Sequence, residues 1–61
     1  MALRQLHELM LGSQDIKIFR SNYVEPEYSG YNSSIPDDIM NDEIDFLVSS
    51  KEYDRIIIIL K

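Results

Sequence analysis

The residues best equipped for chemistry in this chain are carboxylates. Between Arg20 and Lys51 there is no Lys or Arg, and Glu25, Glu27, Asp37, Asp38, Asp42, Glu43 and Asp45 all fall in that interval. The interval therefore carries a formal −7, and the net charge of −5 leaves +2 for the rest of the chain. Segregated charge of this kind produces a field that steers a basic partner. One reading is a docking surface in which Asp37, Asp38, Asp42, Glu43 and Asp45 stand where nucleic-acid phosphates would sit in a positively charged groove. The plainer reading is a solvated face that keeps a small protein soluble, with Asp37 and Asp38 favoured at a helix start.

Other chemistries find less in the sequence. Asp38, Asp42 and Asp45 recur near helical spacing with Asn41 beside them, an oxygen-rich set for Ca²⁺ or Mg²⁺, but no glycine permits the sharp turn of a calcium loop. His7 is the single histidine, there is no cysteine, and Glu8 is its chain neighbour and not its helical-face partner. Neither a dedicated metal site nor a catalytic pair follows, so the expectation is a non-enzyme with no cofactor. Tyr23, Tyr28, Tyr31 and Tyr53 offer either interface contact area or cross-strand packing. Tyr28 and Tyr31, near Gly30 and Pro26, are the aromatic candidates for added contact area with a partner. Only Lys17 and Arg20 could serve an aromatic nucleic-acid platform, and the net charge has the wrong sign for direct binding.

The elements that must hold these side chains come from 61 residues, enough for one domain. With 44% hydrophobic and 28% charged residues the composition is that of a folded chain. The longest apolar run, Ile56 to Leu60, is far short of the ~20 residues of a membrane span. No basic stretch leads into an apolar core at the N-terminus, so a cytoplasmic location is expected. Leu3, Leu6 and Met10 space an amphipathic helix over 2–11, with Gly12 beyond its end. Alternation in Asp15–Arg20 predicts a strand, residues 21–26 a connection, and Glu27–Asn32 a second strand interrupted by Gly30. Ser34, Pro36, Asp37 and Asp38 read as the start of a short second helix over 36–41. Ile44 to Ser49 and Arg55 to Lys61 form a hairpin around a polar loop at 50–53. The sum is an α+β domain: an N-terminal helix on a mainly antiparallel sheet of about four strands.

The closing strand shapes the expectation about assembly. A chain this short buries only ~60% of the surface its unfolded form exposes. Five consecutive aliphatics, Ile56, Ile57, Ile58, Ile59 and Leu60, read as a strand covered on both faces, and one helix covers one face. A homodimer closing over these residues is the simplest supplier of the second cover.

The leading helix with Leu6-His7-Glu8-Leu9, then Ile16-Lys17-Ile18, Tyr28-Ser29-Gly30, Ile35-Pro36-Asp37-Asp38, Asp42-Glu43-Ile44 and the Arg55-to-Leu60 strand resembles short acidic proteins of bacteriophages and mobile elements of Gram-positive bacteria. That resemblance implies a stoichiometric inhibitor of host defence, of the anti-CRISPR or anti-restriction kind, acting in the host cytoplasm. It transfers no residue-level site. The alternative is a structural or regulatory accessory subunit, antitoxin-like or a scaffold, binding through its apolar C-terminal strand.

Overall fold

In the computed structural model, residues 1–20, 25–50 and 54–61 are described. The expected connection at 21–26 therefore lies largely outside the described residues. So do most of the expected loop at 50–53 and the tyrosines Tyr23 and Tyr53. The chain is an α+β domain in which one helix packs on a four-stranded mixed sheet. Helix α1 spans Leu3–Leu9, and the strands are β1 (Asp15–Phe19), β2 (Pro26–Tyr31), β3 (Ile44–Ser50) and β4 (Arg55–Leu60). Two 3₁₀ turns, Asn32–Ser34 and Asp37–Ile39, join β2 to β3.

The strand order is β2-β1-β4-β3. β1 pairs antiparallel with β2, and β3 pairs antiparallel with β4 in the expected hairpin. The central pairing, β1 with β4, is parallel, matching Ile16 to Ile56 and Ile18 to Ile58. Paired residues share a face, so Ile16, Ile18, Ile56 and Ile58 line one side of the sheet, with Leu60 and Ile44 continuing it. Leu3, Ile35, Ile39 and Met40 pack onto that side and complete the core. Burying each such aliphatic fully is worth roughly 1.5–3 kcal/mol.

β4 corrects the reasoning behind the expected second subunit. It lies between β1 and β3, so both of its edges are already paired within one chain. Ile58 and Leu60 are fully buried on the core side, and Ile59 on the opposite side is only 2% exposed. Ile56 and Ile57 are half-buried. A central strand is shielded laterally by its neighbours as well as from above, a contribution that counting helices overlooks. Ile56–Leu60 thus have cover from their own chain and present no free strand edge to a partner.

The second correction concerns residues 36–41. They form a single 3₁₀ turn with i→i+3 bonds from Ile39 N–H to the Pro36 carbonyl and from Met40 N–H to that of Asp37, not a two-turn α-helix. Two carbonyls at and beyond the end of this turn are used by α1. Met40 O accepts from Arg4 N–H at 2.7 Å and Asp42 O from Leu3 N–H at 2.9 Å. These satisfy the first N–H groups of α1, whose N-cap residue, Ala2, has no side chain able to do so.

Candidate functional site

The acidic segment runs from the 3₁₀ turn at Asp37 to the start of β3 and wraps the N-terminal end of α1. Helix capping by Met40 and Asp42 holds its middle. An antiparallel bridge between Ala2 and Glu43, with Ile44 N–H donating to the Met1 carbonyl at 2.8 Å, holds its end. These contacts fix the backbone of 40–44, and so the stretch that carries Asp42 and Glu43, against the first residues of the chain.

Basic groups come to meet three of the segment's carboxylates. Arg4 Nη2 lies 3.2 Å from Asp37 Oδ1, and its Nε donates to Asn41 Oδ1 at 3.3 Å. The Met1 ammonium lies 3.1 Å from Glu43 Oε2. Arg20 has the densest environment: Nη2 donates to Asp42 Oδ2 at 2.5 Å, Nε to Glu27 Oε1 at 2.6 Å and Nη1 to the Lys61 carbonyl at 3.3 Å. The hydrogen bond to Asp42, and then that to Glu27, raises the guanidinium pKa above its ordinary value. Asp38 and Asp45 are exposed and make no ion pair among the described residues. The linear charge tract is thus partly neutralised in three dimensions. Among the described residues, Glu25, Asp38 and Asp45 are the carboxylates of the tract outside any ion pair.

The tyrosines part company. Tyr28 pairs with Ile18 on the core side, is half-buried, and donates its hydroxyl to the Tyr31 carbonyl at 2.6 Å. Its ring crosses Gly30, whose φ of +149° leaves room that a side chain would fill: a Cβ there would lie 2.9 Å from the Tyr28 hydroxyl. Tyr31 is exposed, and strand alternation sets it on the opposite face from Tyr28. The two rings cannot form one contact patch, and only Tyr31 offers free area.

His7 sits at the edge of the core, where its Nε2–H donates to the Asn32 carbonyl at 3.0 Å. No group of three or more His, Asp or Glu side chains converges as a metal site needs among the described residues, Asp38, Asp42 and Asp45 included. No helix among the described residues is long and apolar enough to cross a membrane.

Two features escaped the sequence reading. Asn32 is buried and bonded on every side, although nothing in its local sequence sets it apart from the other polar residues of the turn. β3 is an edge strand whose Phe46, Leu47 and Val48 are 43%, 48% and 44% exposed. Their signal was present in the hairpin pattern, but edge or centre is decided by strand order. No protein-family model, no curated protein and no solved structure matches this chain.

Proposed function

We propose that this chain is a small non-catalytic interaction module that occludes a basic protein surface with its acidic segment. In biological terms it would be a phage-borne inhibitor of a host defence or nucleic-acid-binding protein, working in the host cytoplasm. The observation that carries the reading is the placement of Asp38 and Asp45. They stand exposed on either side of the stretch that α1 pins, and make no ion pair among the described residues. Carboxylates carried on backbone that the fold already holds can meet a basic groove without ordering a loop on binding, which spares conformational entropy. Asp37, Asp42 and Glu43 add to the field while also holding the fold, and Tyr31 supplies contact area.

The test is charge reversal at Asp38 and Asp45. The double variant Asp38→Lys, Asp45→Lys should retain its far-UV circular dichroism yet lose retention on immobilised polylysine and capture of its partner from host lysate. Undiminished capture by the reversed protein at moderate salt would reduce the acidic segment to a solubilising face.

A second reading, an accessory subunit that binds through an apolar strand, is favoured by the exposed Phe46–Val48 stretch. In that reading the binding strand is β3 in place of β4, supported by the exposure of its apolar side chains. Charge-led binding weakens as salt is added, whereas apolar binding does not.

A further inference from the structure

A β-sheet edge exposes unpaired backbone donors and acceptors, and folded proteins blunt such edges with proline, bulges, charges or covering chain. The two edges of this sheet differ in that respect. β2 begins with Pro26, which has no N–H, and its register with β1 shifts between Ile18 and Phe19. β3 is protected over its first residues alone. There the register shifts between Ile44 and Phe46, Asp45 contributes a charge, and Met1 to Leu3 bridge to Asp42–Ile44 along the outer side. Beyond that point the protection stops. Leu47, Val48 and Ser49 are exposed and uncharged, and no backbone bond reaches them from outside the sheet among the described residues.

We infer that Leu47–Ser49 of β3 pairs antiparallel with the same segment of a second copy of this chain. The two-fold axis passes at Val48, and two four-stranded sheets become one continuous sheet. Three observations select a second copy as the occupant. First, the register is self-complementary: Val48 meets the partner's Val48, and Leu47 meets the partner's Ser49, so no like charges oppose one another. Val–Val is the kind of cross-strand pair that stabilises a sheet. Secondly, Leu47 and Val48 are apolar side chains left 48% and 44% exposed, and pairing with a second copy removes apolar surface from water on both chains. Thirdly, a two-fold axis at Val48 ends the seam before Ile44, where Met1 already occupies the edge, so the fold is unchanged by pairing. The acidic segment at 37–45 stays outside the seam, and the inference is independent of the partner proposed for it.

The chain has no cysteine, so one introduced thiol can cross-link only between copies. Directly opposed residues of an antiparallel pair have Cα atoms about 4.5–5.5 Å apart, inside the range a disulfide spans. Val48→Cys should therefore oxidise to a covalent dimer at least about tenfold faster than Ser29→Cys on the other edge strand, because pairing presents its thiols to each other. In sedimentation the native chain should move from one-chain to two-chain mass as its concentration rises, whereas Val48→Lys, with like charges at the axis, should stay at one-chain mass. Equal oxidation rates for the two cysteine variants would overturn the inference. A native chain that keeps one-chain mass up to millimolar concentration would do the same.

Discussion

Asn32 ties three segments together through one side chain and its own backbone. Its Oδ1 accepts from Gln14 N–H at 2.9 Å, its Nδ2 donates to the Gly12 carbonyl at 3.1 Å, and its N–H donates to the Gln14 carbonyl at 2.9 Å. With His7 on its carbonyl, the end of α1, the entry to β1 and the exit from β2 meet there. Burial makes such a residue costly only when its partners are left unpaired. Asn32→Ala removes the partner of the part-buried Gln14 N–H and of the Gly12 carbonyl and should lower unfolding free energy by about 1–3 kcal/mol in urea titration. A loss within experimental error would mean that water replaces the amide at no cost. Arg20 is the opposite case, conspicuous but half-exposed. Its pairs with Asp42 and Glu27 have side chains about a third open to solvent, so screening discounts them heavily. A double-mutant cycle of Arg20→Ala with Asp42→Ala should return a coupling below ~1 kcal/mol that shrinks further in high salt.

Strand position, more than residue type, sets what a substitution costs. Ile58 and Val48 are both β-branched aliphatics on neighbouring strands, but the first is fully buried on the central strand and the second lies half-open on the edge. Ile58→Ala should cost about 2–5 kcal/mol through lost transfer energy and the cavity left behind, enough to unfold much of a domain this small. Val48→Ala should stay within about 1 kcal/mol by the same denaturation measurement. β2 carries a third kind of sensitivity. Gly30 combines a positive φ with the Tyr28 ring pressed over it, so Gly30→Ala meets both backbone strain and a clash. Gly12, with φ +76°, faces open space, and alanine there meets strain alone. Thermal melts should therefore rank Gly30→Ala well below Gly12→Ala.

Topology and net charge act on the molecule as a whole. The central parallel pair joins residues 40 positions apart, as in the contact of Arg55 with Asp15, and that loop must close before β1 and β4 can pair. Refolding should accordingly fall in the millisecond-to-second range of sheet-dominated domains, slower than a helical bundle of equal length. Charge provides a second, sharper expectation. Two copies of a chain at −5 repel each other, so added salt should strengthen pairing along β3. The same salt should weaken capture of a basic partner by the acidic segment. Opposite salt dependences of self-association and capture, followed by sedimentation and by retention on polylysine, would separate the two surfaces in one titration series.

The single α+β domain, the strands 15–19, 44–50 and 55–60 to within a residue or two, and the helix at the N-terminus were legible from period and composition. Burial leaves its mark directly in the spacing of Leu3 and Leu6 and in the alternation of Ile16 with Ile18. The aliphatic run at 56–60 announced a strand wet on neither face, and β4 is close to that. What stayed hidden were relations between segments distant in the chain. Strand order placed β4 in the centre and left β3 at the margin, a decision made by the β1–β4 pairing that no local pattern encodes. The charge tract was visible as a count, yet Arg4 and Arg20 reach back into it only after folding, so linear charge overstated the field. α1 takes its first acceptors from the carbonyls of Met40 and Asp42, nearly forty residues away, and Asn32 is buried because three segments converge on it. Local pattern follows from each residue's own preference and burial. Partnership depends on which remote groups the closed sheet brings within bonding distance, and that only the tertiary structure decides.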